Sequence, residues 1–181
     1  MKIDYQGFMK ELENNNIEMA TIPELLVELL SEKGLKIATA ESCTGGLISK
    51  MITDVSGASA VFDCGVCSYA NEIKERVLRV SAEDLKAKGA VSEEVAMAMA
   101  KGVRELAGAD IGISTTGIAG PTGGSKEKPV GTVWIGVATM DKNYAILANL
   151  ATKNATRDKI RQSAAFLAIY CGFKAAKAEN Y

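Results

Sequence analysis

The sequence contains no histidine among its 181 residues. Histidine is the usual base beside a catalytic serine and the commonest ligand of zinc and iron, so its absence excludes both arrangements in their ordinary form. Acid–base chemistry would have to use lysine, tyrosine or carboxylate side chains. A metal site would have only cysteine and carboxylate ligands.

A basic excess, a long apolar run and a signal peptide are also missing. The formal net charge is −1 and charged residues make up 24% of the chain, so nucleic acid is not an expected partner. No apolar run approaches the roughly 18 residues that span a bilayer, and the polar N-terminus does not resemble a signal peptide. Four cysteines without a secretion signal favour a reducing compartment. We therefore expect a cytoplasmic protein that contacts neither membranes nor nucleic acid.

The order of apolar segments predicts a single α/β domain. A chain of this length with 48% hydrophobic residues can bury a core without disulfides. Predicted strands alternate with amphipathic helices, and a turn at Asp141-Lys142-Asn143 joins the last two strands. We expect a three-layer α/β/α fold with a mixed, mostly parallel sheet and a C-terminal hairpin. The polar residues 1–20 are expected to form an appended arm or short helix, and the domain to span 21–181.

The individual elements follow from apolar periodicity and capping residues. Strands are expected at 36–40, 61–70, 110–116, 132–139 and 144–151. Helices are expected from Thr21 to Gly34, at about 45–53, at 71–78, after Ser81, after Ser92, and from Thr156 to about Phe173.

The C-x-x-C motif of Cys64-Gly65-Val66-Cys67 lies in one of the predicted strands. Positions three apart on a strand point to opposite faces, whereas a redox C-x-x-C needs a helix N-terminus that lowers one thiol pKa. We therefore interpret both cysteines as small core residues, with a redox pair and a structural zinc site as the less favoured alternatives.

A small hydroxyl residue lies where a predicted strand passes into a helix, in Ala40-Glu41-Ser42-Cys43-Thr44-Gly45-Gly46. An α/β enzyme exposes its nucleophile at such a turn, close to backbone N–H groups. Ser42 is equally suited to cap the following helix. Cys43 is a competing nucleophile, although no cationic partner for its thiol is evident nearby.

A lysine base for Ser42 would have to come from elsewhere in the fold, because the chain has no S-x-x-K motif. Tyr69 and Lys74 follow the end of a predicted strand, where open α/β sheets gather functional groups. The ordinary interpretation of Lys74 alone is a solvated lysine on a helix.

A glycine-rich loop, Gly117–Gly124, follows another predicted strand. It matches neither the dinucleotide-binding nor the P-loop pattern. Such a loop can direct backbone N–H groups at an anion, or it can be a long turn that uses positive φ angles.

Four ordered blocks together resemble one family. They are Ala40–Gly46; Tyr69 with Asn71 and Lys74; Gly89–Val95; and Thr116–Thr132. Over about residues 22–173 the chain resembles the CinA C-terminal domain family, in its stand-alone form. That family consists of nicotinamide-nucleotide amidases, which convert nicotinamide mononucleotide to nicotinate mononucleotide and ammonia.

The resemblance implies Ser42 as the nucleophile, with Lys74 and Tyr69 as its catalytic partners. It implies no cofactor and no metal, a small nucleotide as substrate, and we expect a homo-oligomer. The residues expected to form the oxyanion hole and to bind substrate are Thr44, Gly45, Gly46, Asn71, Thr116, Gly117, Gly120 and Arg157.

One departure from the family lies before the last predicted helix. The family carries Gly-Asp-Arg there, whereas this chain reads Asn154-Ala155-Thr156-Arg157, so the arginine is present without its acidic neighbour. Two other functions stay open at this point: a serine–lysine amidase acting on a different small carboxamide, and a non-catalytic nucleotide-binding module.

Overall fold

The computed structural model describes residues 1–178 and contains one six-stranded sheet. In chain order the strands are β1 (Lys2–Asp4), β2 (Ile37–Glu41), β3 (Phe62–Cys67), β4 (Ile111–Gly117), β5 (Thr132–Ala138) and β6 (Asn143–Asn149). Their spatial order is β1-β6-β5-β4-β2-β3. The pairs β1–β6, β2–β3 and β2–β4 are parallel, and β4–β5 and β5–β6 are antiparallel. The predicted mixed sheet with its C-terminal hairpin is confirmed.

Seven α-helices cover the sheet within the described residues. They are α1 (Tyr5–Asn14), α2 (Ile22–Lys33), α3 (Leu47–Thr53), α4 (Asn71–Leu78), α5 (Ala82–Lys88), α6 (Glu93–Ala107) and α7 (Arg157–Ala178). Two predicted caps are present: the Ser81 hydroxyl accepts from the first turn of α5, and the Thr156 hydroxyl accepts from the Lys159 N–H. Thr156 therefore caps α7 where the family carries aspartate. The hydroxyls of Thr21 and Ser92 instead donate to the carbonyls of Glu18 and Gly89, so neither side chain caps its helix.

The helices divide between the two faces of the sheet, as a three-layer fold requires. Helices α1, α2, α3 and α7 enclose the larger core on one face, and α4, α5 and α6 enclose the smaller core on the other. Successive residues of β2 alternate between them: Ile37 joins the larger core, and Ala38 and Ala40 join the smaller one.

Residues 1–20 contain a strand as well as a helix. Strand β1 pairs with β6 in parallel, with Ile3 opposite Ala148. The side chains of Phe8 and Leu12 on α1 are fully buried in the larger core. The expected short helix is present, whereas the strand was not predicted, because Lys2-Ile3-Asp4 is too short and too polar to show a strand pattern.

Strand β3 forms one edge of the sheet, and its side chains alternate between half-buried and exposed. Cys64 is half-buried and Cys67 is exposed on the opposite face, so the predicted separation of the two thiols is confirmed. The interpretation of Cys67 as a core residue is wrong, because alternate side chains of this edge strand are exposed. Within residues 1–178, no cluster of cysteine and carboxylate side chains is placed to hold a metal ion. The helices of this range include none that is long and apolar enough to cross a membrane.

Parallel strands β2, β3 and β4 end at the same edge of the sheet. The chain continues from them into the Ser42 turn, the Tyr69 turn and the glycine-rich loop. Open α/β sheets bind their ligands at this carboxyl edge. Segments that lie far apart in sequence are therefore brought together here.

Helix α6 packs unusually close to the sheet, because the strands present small residues to it. The Ser114 hydroxyl donates to the Ala96 carbonyl at 2.6 Å. A Cβ added to Gly112 would lie 2.1 Å from the Ala100 carbonyl oxygen, and one added to Gly136 would lie 2.2 Å from that of Ala96. The interface leaves no space for either methyl group.

We expect Gly112→Ala to lower the free energy of unfolding by about 1–3 kcal/mol, because α6 would have to move away from β4. Chemical denaturation measures this directly. Lys101→Ala, on an exposed position of the same helix, is the control and should change stability by less than about 0.5 kcal/mol. Equal stability of Gly112→Ala and the parent would show that this close packing does not constrain the fold.

Candidate active site

Ser42 and Lys74 meet at the carboxyl edge of the sheet. Ser42 follows β2 and Lys74 lies on α4, and the Lys74 Nζ is 3.0 Å from the Ser42 Oγ. The same Nζ also donates to the Ser68 carbonyl at 2.5 Å and to the Tyr69 carbonyl at 3.3 Å. The Lys74 side chain is only 1% exposed, so the alternative of a solvated helix lysine is wrong.

Lys74 has no carboxylate to balance its charge. Every hydrogen bond that it makes within residues 1–178 is to a neutral oxygen. Burial disfavours the ammonium form and lowers the pKa of Lys74 below its usual value of 10.5, against a smaller opposing effect of Cys43. This environment favours a neutral amine, which is the form that can accept a proton from Ser42.

Cys43 is buried and its thiol is protonated at neutral pH. Burial is the main cause that raises the pKa of Cys43 to about 12. A thiol needs its thiolate form to act as a nucleophile. Cys43 is therefore a poor competitor, and Ser42 is the better nucleophile of the two.

The α3 N-terminus is capped by Glu41 and not by Ser42. The buried Glu41 carboxylate accepts from the N–H groups of Gly46 at 2.9 Å, Ile48 at 3.0 Å and Ser49 at 2.8 Å. It also accepts from the Ser49 hydroxyl at 2.7 Å. These bonds satisfy free amides at the start of the helix, so the interpretation of Ser42 as a helix cap is wrong.

Arg161 binds the carbonyl groups of the Ser42 turn. Its Nε donates to the Cys43 carbonyl at 3.2 Å, and its Nη2 donates to the Thr44 carbonyl at 2.6 Å. Sequence reasoning missed this residue, although Arg161 lies four positions after Arg157 and hence on the same face of α7. That spacing was the available signal.

The expected oxyanion donors at Thr44, Gly45 and Gly46 need correction. The Gly46 N–H is already bonded to the Glu41 carboxylate. The Thr44 hydroxyl is paired with the Thr115 hydroxyl at 2.7 Å. Of the three expected backbone donors the Gly46 N–H is therefore engaged, and none of the three residues lines the cavity beside Ser42.

That cavity has a volume of about 190 Å³. Its walls include no aspartate or glutamate, and both charged side chains are basic. The Thr116 hydroxyl donates to the Ala90 carbonyl at 2.7 Å across one wall. The lining residues are Ser42, Cys43, Tyr69, Asn71, Lys74, Ala90, Val91, Thr116, Gly117, Ala119 and Arg157.

Tyr69 and Arg157 meet at the mouth of this cavity. Arg157 donates through Nη2 to the Tyr69 hydroxyl at 3.0 Å and through Nη1 to the Gly120 carbonyl at 2.7 Å. Only the backbone carbonyl of Tyr69 contacts Lys74, and the phenol ring is 65% exposed. The hydroxyl is therefore placed to position Arg157 and not to exchange a proton with Lys74.

Lys128, between the glycine-rich loop and β5, binds the segment that precedes α6. Sequence reasoning missed this residue as well. Its Nζ donates to the carbonyls of Lys88 at 3.0 Å and Val91 at 2.8 Å. Gly120 has a φ of 74°, so the loop uses a positive φ angle as one interpretation expected. Its Ala119 N–H has no acceptor within residues 1–178.

Comparison with known proteins identifies the family of this chain. The family model of the CinA C-terminal domain matches residues 19–173. A CinA-like protein of Anaeromyxobacter sp. (strain K) is 50% identical over 148 residues, which are 82% of this chain and 36% of that protein. A CinA-like protein of Geobacter sulfurreducens is 58% identical over 118 residues, which are 65% of this chain and 29% of that protein. The chain thus spans about a third of the length of the curated relatives that it matches.

Solved structures match over most of both chains. The competence/damage inducible protein CihA from Agrobacterium tumefaciens superposes with a TM-score of 0.83 at 34% identity, covering 88% of this chain and 95% of that one. The competence damage-inducible protein A from Klebsiella pneumoniae superposes with a TM-score of 0.84 at 30% identity, covering 90% and 99%. The chain belongs to the CinA C-terminal domain family.

Proposed function

We propose that this domain is a serine amidohydrolase that converts nicotinamide mononucleotide to nicotinate mononucleotide and ammonia. The observation that carries the proposal is the buried Lys74 amine, of lowered pKa, at 3.0 Å from the Ser42 hydroxyl. Such a pair supplies the nucleophile and the base that a chain without histidine otherwise lacks. The substrate rests on the family resemblance.

In the first step the neutral Lys74 amine takes the Ser42 proton while Oγ bonds to the carboxamide carbon. The carbonyl π electrons move to oxygen, which becomes an oxyanion. Two cavity-lining donors without an acceptor in residues 1–178 are available to it, the Ala119 N–H and the Asn71 side-chain amide. They replace the Thr44–Gly46 amides that the sequence suggested.

In the second step the Lys74 ammonium gives its proton to the departing nitrogen. The C–N bond breaks, ammonia leaves, and the acyl group stays on Ser42 as an ester. Water then attacks the ester while Lys74 again acts as base, which releases the carboxylate product and restores the hydroxyl. The Ser68 and Tyr69 carbonyls accept from Nζ throughout and hold it beside Oγ.

The size and charge of the cavity fit one end of this nucleotide. An engineered cavity of about 150 Å³ accommodates benzene, so about 190 Å³ holds the nicotinamide ring with its carboxamide. The ribose phosphate would then lie at the mouth, beside Arg157. That guanidinium is bonded only to neutral oxygens within residues 1–178, and a phosphate is a stronger partner for it.

A serine–lysine amidase for another small carboxamide is the second candidate. The observation in its favour is that Arg157 already donates to the Tyr69 hydroxyl and the Gly120 carbonyl, so it has a structural role at the cavity without a phosphate. The expected homo-oligomer stays a prediction.

Ser42→Ala should abolish ammonia release from nicotinamide mononucleotide, since the substitution removes the hydroxyl that forms the ester beside Lys74. The matched control is Cys43→Ala, which should keep turnover because the Cys43 thiol stays protonated. An enzyme-coupled ammonia assay with and without a chelator measures both variants. Normal turnover by Ser42→Ala would rule out the assigned nucleophile, and absence of turnover by the folded parent would favour a binding module.

The pH dependence should report the lowered pKa of Lys74. Because the neutral amine is the base, kcat/KM should be low at acidic pH and should rise with pH through that pKa. Between the pKa of Lys74 in the folded chain and its usual value of 10.5, Lys74 is neutral in the folded chain and protonated in the unfolded chain. Unfolding therefore takes up a proton in this pH range, and the free energy of unfolding should rise with pH there. Lys74→Met should lose activity and should lack this stability gain; an unchanged stability profile would contradict the burial argument.

Arg157→Gln should raise KM for nicotinamide mononucleotide about tenfold or more, with a smaller change in kcat, because a charge-assisted phosphate contact is lost. Nicotinamide riboside, which lacks the phosphate, is the comparison substrate and should respond little. Lys153→Gln, on an exposed residue nearby, is the control. Equal effects on the two substrates would favour an amidase that does not recognise phosphate.

A further inference from the structure

A second cavity, of about 310 Å³, lies behind α7 and shares no lining residue with the Ser42 cavity. A helix turns by about 100° per residue, so Arg157 and Arg161 lie on one face of α7 while Lys159, Ser163 and Phe166 lie on the opposite face. Those last three residues line the second cavity. Helix α7 is therefore a shared wall between two separate sites.

The polar groups of this cavity are suited to an anion. Lys159 is its only charged lining residue, and the Lys159 ammonium makes no ion pair within residues 1–178. Ser163 is about nine-tenths buried, lines the cavity, and its hydroxyl has no hydrogen-bond partner in the same range. Within residues 1–178 this hydroxyl is not one of the buried polar atoms that lack a partner, so it is reached from the cavity and is available to a ligand or to water.

The remaining surface of the cavity is largely apolar. Met19, Leu150, Ala155 and Phe166 supply it, Tyr5 closes one side, and the polar residues Thr152 and Gln162 complete the lining. A volume of about 310 Å³ falls at the lower end of small-molecule sites. Tyr5 precedes the residues that match the family model, so one wall is built by a segment outside that match.

We propose that this cavity binds a small amphipathic organic acid, with its carboxylate on Lys159 and Ser163 and its apolar body against Phe166. One cation and one hydroxyl are sufficient to bind a monoanionic carboxylate, whereas phosphate sites usually present several N–H donors or an arginine. The proposal does not depend on the chemistry at Ser42.

Three probes test it: phenylacetate, indole-3-acetate and octanoate, each titrated beside its neutral carboxamide. Amide chemical shifts of the full chain give location and affinity together. We expect at least one carboxylate to bind with 1:1 stoichiometry, with shifts centred on residues 150–166, and its carboxamide to bind at least about tenfold more weakly. No binding by any of the three acids, or equal affinity of acid and amide, would overturn the proposal.

Variants of single residues locate the anion. Lys159→Met should weaken the bound acid about tenfold or more, and Ser163→Ala should weaken it several-fold. Lys153→Met, which removes an exposed charge outside the cavity, is the matched control and should change affinity less than about twofold. Ser42→Ala should bind the acid as the parent does. An affinity that is insensitive to Lys159→Met, or that Ser42→Ala abolishes, would refute this site.

Discussion

The burial of Lys74 is the constraint on which the rest of the site depends. An ammonium group that is removed from water without a carboxylate is destabilised, and the fold compensates with the Ser68 and Tyr69 carbonyls and the Ser42 hydroxyl. These oxygens surround Nζ because α4 begins directly after the turn that leaves β3. The Lys74 amine, in the first turn of α4, therefore contacts groups that follow the end of β2 and the end of β3.

Two charged side chains, Glu41 and Arg161, fix the Ser42 turn by binding its backbone groups. Glu41 takes the N–H groups at the start of α3, which leaves the Ser42 hydroxyl free to face Lys74. Arg161 takes the carbonyls of Cys43 and Thr44 and so connects the turn to α7. The buried Glu41 carboxylate thus caps α3 in place of a serine hydroxyl, and Arg161 fixes the turn through its carbonyl groups.

Helix α7 connects the carboxyl edge of the sheet to the remainder of the molecule. Its first turns place Arg157 at the mouth of one cavity and Lys159 in another, while its later residues pack against the buried Phe8 of α1. The N-terminal segment is therefore part of the larger core. Strand β1 of this segment pairs with β6 at the edge of the sheet. Its few, mostly polar residues can form a strand there because backbone hydrogen bonds hold it in the sheet.

The sequence by itself determined the alternation of strands and helices, the opposite faces of Cys64 and Cys67, and the need for a base other than histidine. These properties follow from local periodicity and composition, which each short segment carries alone. The tertiary structure decided that Lys74 lies beside Ser42, 32 residues away, that the Tyr69 hydroxyl binds Arg157, and that the Gly46 N–H belongs to Glu41. Each of these depends on which strand ends adjoin at the sheet edge and on how side chains are buried there, and local periodicity does not specify either.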